Sequence, residues 1–77
     1  MAATGPDRIP LESTTLAAAY HDGSEELQLD FHDGSRYAYS GVAPDLYHNL
    51  LCAASKGSFF NRYIRNHFPY EKLSAEN

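Results

Sequence analysis

The chain has 77 residues, the length of one small domain and too short for two. Hydrophobic residues make up 43% and charged residues 21%, with a net charge of −4, which excludes a disordered acidic tail and disfavours strong non-specific DNA binding. The apolar stretches are too short to span a bilayer, the opening MAATGPDRIPLE does not read as a secretory signal, and the single cysteine, Cys52, excludes an internal disulfide and a cysteine-rich zinc site, so a cytoplasmic protein is expected.

Residues 1–12, with Gly5, Pro6 and Pro10, read as a flexible N-terminal tail, and residues 74–77 as a C-terminal one, leaving a single domain over 13–73. The tetrapeptide His-Asp-Gly-Ser then occurs twice, at 21–24 and 32–35. Asp-Gly between apolar runs signals a hairpin, because glycine accepts the positive φ that such a turn requires. Strands are expected at Thr14–Tyr20, Glu26–Phe31 and Arg36–Val42. In the middle one, Leu27, Leu29 and Phe31 share one face and Gln28 and Asp30 the other. Farther on, Tyr47, Leu50, Leu51 and Ala54 form the stripe of an amphipathic helix, with Pro44 and Asp45 suited to its first turn and Gly57 to a left-handed cap. Ser58 can cap a second, shorter helix carrying Phe60, Tyr63, Ile64 and His67, which Pro69 would end. The expectation is an α+β domain: a three-stranded antiparallel β-meander followed by two short helices packed on one face, in the order β-β-β-α-α.

The turn at Asp33-Gly34 decides where Tyr37 and Tyr39 point. A two-residue turn sets 30 opposite 37, leaving both tyrosines on the face away from the leucines, as a stacking surface for bases. A three-residue loop, His32-Asp33-Gly34 with Gly34 in a bulge, sets 29 opposite 37 and 27 opposite 39, burying the tyrosines with the leucines. The second register is favoured, since it pairs Arg36 with Asp30 on the solvent face instead of pointing Arg36 inward.

Charge is unevenly spread. Residues 1–42 carry a net −5, residues 43–77 a net +1, and Ser55–Tyr70 contains three cations and no acid. That stretch also holds Phe59, Phe60, Tyr63, Phe68 and Tyr70, a basic-aromatic mixture suited to an anionic partner, though also to a core helix with a solvated edge. The junction Ser55-Lys56-Gly57-Ser58 could present N–H groups, a lysine and a hydroxyl to a phosphate or carboxylate, and Arg62 and Arg65 could extend that site. The simpler alternative is a tight helix–helix turn with a capping serine. His21 and His32 fit repeated turn chemistry, His48 and His67 lack metal-ligand spacing, and Cys52 has no nearby cation, so no catalytic residue, metal or cofactor is expected.

The series Tyr37-Ala38-Tyr39, Gly41-Val42, Leu50-Leu51, Ser55-Lys56-Gly57-Ser58-Phe59-Phe60-Asn61-Arg62, Ile64-Arg65 and Phe68-Pro69-Tyr70 resembles the KTSC domain family, a short domain found at the C-terminus of some lysyl-tRNA synthetases and also as a single-domain protein. The likeness runs from about Ser13 to Leu73, departing where Ala43 separates Val42 from Pro44. It implies no catalysis, and RNA binding is the role suggested for the family. The leading expectation is thus a non-catalytic module binding RNA or another anionic partner through Lys56, Gly57, Ser58, Arg62 and Arg65, with Phe59, Tyr70, Tyr37 and Tyr39 as stacking or contact residues. The alternative is a protein–protein interaction module using exposed aromatics of the same segment.

Overall fold

Five antiparallel strands form one sheet in the order β1-β2-β3-β4-β5, each strand hydrogen-bonded to the next in sequence. The computed structural model describes residues 8–75, comprising β1 (Ile9–Pro10), β2 (Leu16–His21), β3 (Leu27–Phe31), β4 (Ser35–Tyr39), α1 (Pro44–Cys52), α2 (Lys56–Phe59), a π-helical turn (Phe60–Ile64) and β5 (Tyr70–Ala75). The α+β class and the two helical segments agree with the sequence; the three-stranded meander becomes the centre of a five-stranded sheet.

Both extra strands lie where tails were expected. Ile9 and Pro10 pair with Ala19 and Ala18, and Leu11 continues the pairing by donating to the Ala17 carbonyl while burying its side chain. At the other end, Ser74 and Ala75 pair with Arg36 and Ser35. The strand pairing therefore extends on both sides of 13–73; residues 1–7 and 76–77 of the expected tails lie outside the described residues. A two-residue strand containing proline gives no period-two pattern, and β5 exposes Tyr70, Glu71, Lys72 and Leu73 alike, so neither carries the alternation that marks a half-buried strand.

The central register is the one Arg36 favours. Leu27 faces Tyr39, Leu29 faces Tyr37 and Asp30 faces Arg36. Gly34 sits at φ +95° and donates to the Phe31 carbonyl at 3.0 Å, closing a three-residue loop. Leu16, Ala19, Leu27, Leu29 and Tyr39 consequently form one buried layer with Tyr47, Leu50, Phe60 and Ile64 of the helical segments. Each fully buried leucine contributes about 1.5–3 kcal/mol relative to exposure, the main support for so short a chain.

On the opposite face Asp30 receives Arg36 Nε at 2.7 Å and lies 3.6 Å from Arg8 Nε, while Arg8 also donates to Gln28 Oε1 at 2.6 Å. The two His-Asp-Gly-Ser segments behave differently. Asp22 holds the first turn by accepting the Ser24 and Glu26 N–H groups; Asp33 in the second accepts the N–H and hydroxyl of Ser35. His21 packs against Tyr47 and accepts the Gly23 N–H at Nδ1, so its proton sits on Nε2 and goes to the Val42 carbonyl at 2.7 Å. His32 instead meets the Ser13 carbonyl through Nε2 at 2.8 Å.

The strand and helix boundaries correct several expectations. β4 stops at Tyr39, because Gly41 turns the chain at φ +84° and Val42 leaves the strand to donate to the Glu25 carbonyl. Helix α1 begins with Pro44 after an extended Ala43 and ends at Cys52, with Ala53 again extended, so Gly57 does not cap it. The N-cap of α2 is Ser55, whose Oγ accepts the Ser58 N–H at 3.3 Å; Ser58 is the amide donor in that pair, not the cap. Gly57 lies inside α2, where a Cβ would stand 3.4 Å from Thr15 Oγ1, so the close approach of the helix to residues 13–15 is its local demand. The helical segment ends at Ile64, well before Pro69: the Arg65 N–H reaches five residues back to the Phe60 carbonyl at 2.8 Å, and Asn66 adopts φ +67°.

Candidate nucleic-acid interface

Tyr47, Leu50, Phe60 and Ile64 of the helical segments share one buried cluster with Leu16 and Ala19 of β2, Leu27 and Leu29 of β3 and Tyr39 of β4, whereas residues 70–73 of β5 are exposed. Tyr39 is opposite Tyr70 and Tyr37 opposite Lys72, so Tyr37, Tyr39, Tyr70 and Lys72 share the helix-bearing face. The ring centroids of Tyr70 lie 5.6 Å from Tyr37 and 5.7 Å from Tyr39, and Lys72 Nζ lies 5.9 Å from the Tyr37 ring. Phe60 descends from the π turn against Phe31 and Tyr39, at 5.5 and 5.8 Å. The result is a cleft of about 540 Å³ with an aromatic floor, bounded on the helix side by Asn61, Arg65 and Asn66. Its volume falls within the range of small-ligand sites.

The π turn and its abrupt end set the helix-side wall. The wide i→i+5 bond carries the chain to Arg65, whose extended backbone and left-handed neighbour Asn66 take it away from the helix axis. Arg65 Nη1 donates to Asn61 Oδ1 at 3.4 Å, a long contact that leaves the Asn61 amide hydrogens available. Burial, reinforced by Tyr37 and Tyr70, pushes the Tyr39 phenol up to about 12, with nearby Arg65 acting in the opposite direction. At the far end Asp33, held below its ordinary value first by the Ser35 hydroxyl and then by the Ser35 N–H, is a charged carboxylate engaged in its own turn.

The residues expected to form one site divide into two groups. Arg65, Tyr37, Tyr39 and Tyr70 meet in the cleft, although Tyr39 is only 4% exposed and offers no open ring face, whereas Tyr70 is 58% exposed. Lys56, Gly57 and Ser58 line a separate, shallower depression beside Glu12, Ser13 and Thr14. There Lys56 Nζ donates to the Ala53 carbonyl at 2.9 Å and the Ser58 N–H to Ser55 Oγ, so two of the junction's donors serve the turn between α1 and α2. Phe59 is half-buried against Tyr63, with ring centroids 4.7 Å apart. Arg62 is exposed on the π turn, and among the described residues no carboxylate lies within ion-pair distance of Lys56, Arg62 or Arg65. Asn61 and Asn66 are cleft residues that sequence reasoning missed, as is Lys72 beside the Tyr37 ring. Positive φ at Asn66 has a recognisable residue preference, but the face occupied by Lys72 becomes evident only once β5 is known to be a strand.

The comparisons with known proteins agree with this architecture. The KTSC domain model matches residues 12–68. Among relatives, a lysine–tRNA ligase of Nostoc punctiforme is 38% identical over 65 residues, covering 84% of this chain but only 12% of the ligase, so the chain spans about an eighth of that relative. A protein of Tsukamurella paurometabola is 38% identical over 60 residues, covering 77% of this chain and 90% of its own length. The crystal structure of the KTSC domain protein YPO2434 from Yersinia pestis superposes with a TM-score of 0.84 at 29% identity, covering 87% of this chain and 96% of that one.

Proposed function

The chain belongs to the KTSC domain family, and from that premise we propose that it is a non-catalytic module that binds RNA through the cationic, aromatic side of its last helical segment. The observation that carries the reading is the absence of carboxylate partners for the exposed Arg62 and Arg65 among the described residues, beside a sheet face rich in tyrosine. Unneutralised guanidinium groups attract phosphates, and adjoining rings stack on unpaired bases. Relatives that act on tRNA by name, the lysine–tRNA ligases, carry a matching segment as a small fraction of their length, which supports an RNA partner here. Cytoplasmic residence belongs to the same reading, in keeping with one exposed cysteine; among the described residues no helix is long and apolar enough to cross a membrane.

Titration of a labelled single-stranded RNA at two ionic strengths tests the proposal. Affinity is expected to fall with salt by about 0.7 log units per log unit for each phosphate contact, and Arg62→Ala to reduce that slope by about one contact. No binding at low salt overturns it. A protein-docking role is the second reading, favoured by the exposure of Tyr63 (48%) and Tyr70 on this side. Salt-tolerant capture of a protein, lost in Phe59→Ala more than in Arg62→Ala, would support it instead.

A further inference from the structure

We propose that the cleft between β4–β5 and the end of the π turn takes a single unpaired nucleotide, making the module selective for single-stranded over duplex RNA. The inference rests on the RNA-binding reading and specifies what enters the site. Three features of the cleft converge on that ligand. Tyr70 presents an exposed ring on the sheet side, flanked on the neighbouring strand by Tyr37 and Tyr39 at 5.6 and 5.7 Å. The Asn61 amide hydrogens and the whole Asn66 amide have no side-chain hydrogen-bond partner among the described residues, so a base edge finds both donors and acceptors at the wall. Arg65, in the lining, then supplies positive charge for the attached phosphate, while Lys72, near the Tyr37 ring, acts on the carboxylate of Asp33 in the same lining.

The need for a free base face gives the selectivity. A base within an A-form duplex is paired and stacked on its neighbours, so it has no free π face to lay on the exposed Tyr70 ring. A splayed base in a single strand has one, and stacking is tolerant of base identity because every base has a π face. The Asn61 and Asn66 amides add a preference among bases, since their hydrogen bonds depend on the edge presented.

Fluorescence anisotropy with a labelled single-stranded octanucleotide and its duplex form, at one low salt concentration, separates the possibilities. Wild-type protein is expected to bind the single strand about ten-fold or more tightly than the duplex, and Tyr70→Ala to abolish most of that preference. Asn66→Gly removes the amide while keeping φ +67° comfortable, so it weakens single-strand binding without backbone strain and keeps the test decisive if Tyr70→Ala fails to fold. Arg62→Ala, outside the cleft, lowers both affinities alike. Equal binding of single strand and duplex, unmoved by Tyr70→Ala and Asn66→Gly, overturns the nucleotide site and leaves phosphate binding standing. Absence of binding to either form overturns both.

Discussion

Arg36 and Arg65 are the same residue type set to different uses. On the outer face of the sheet, Asp30 serves both Arg36 and Arg8, and Gln28 takes a further hydrogen from Arg8, so these guanidinium groups are engaged with one another's strands. Around the cleft, Arg65 has only a long contact to Asn61, and Arg62 has no carboxylate partner among the described residues. The first arrangement ties β1, β3 and β4 together; the second leaves charge facing solvent. The chain's overall negative charge hides this division, because residues 1–42 carry a net −5 and residues 43–77 a net +1.

The contrast can be broken or sharpened by substitution. The largest effect is expected from His21→Ala, which removes a ring stacked on Tyr47 and orphans the Val42 carbonyl and the Gly23 N–H; denaturant unfolding should show a loss of about 2–3 kcal/mol. Asp30→Ala leaves two arginines without their shared partner, and the same measurement should show a loss of about 1–2 kcal/mol. Alkaline titration provides a third probe. Tyr39 is raised to about 12 in the folded chain, so its contribution to stability is intact below pH 10 and is lost as pH rises through about 12. Tyr39→Phe should flatten that alkaline loss, and Arg65→Ala should move the Tyr39 absorbance transition still higher, because Arg65 favours the phenolate. The smallest stability change belongs to Arg62→Ala and Arg65→Ala, within about 0.5 kcal/mol, alongside the weakened RNA binding expected of them. A stability loss for these two as large as that of Asp30→Ala would erase the distinction.

How much of this could be read from the residues depended on whether a residue's neighbours were local. The Asp30–Arg36 register was legible because burying Arg36 beside Phe31 is costly, and the structure pairs the two as that cost requires. The helix junction was legible as a turn but not in detail: the sequence suggests Ser58 as the cap, and the hydrogen bond from the Ser58 N–H to Ser55 Oγ assigns that role to Ser55. The π turn leaves no mark in spacing, since Phe60 and Ile64 are four apart as in any α-helix. The cleft was half visible. Its tyrosines and Arg65 belong to one expected binding module together with Lys56, Gly57 and Ser58, and an edge strand with no buried alternation conceals that they gather apart from those three.

Because β1 and β5 occupy opposite borders of the same sheet, the two ends of the described chain are unequal places of attachment. A dye or affinity handle joined ahead of Arg8 starts across the sheet's width from Tyr70, whereas one joined after Ala75 starts on the strand that carries it. Immobilising the protein by its front end should therefore leave the tyrosine side open to incoming molecules, and tethering it by its back end should crowd them.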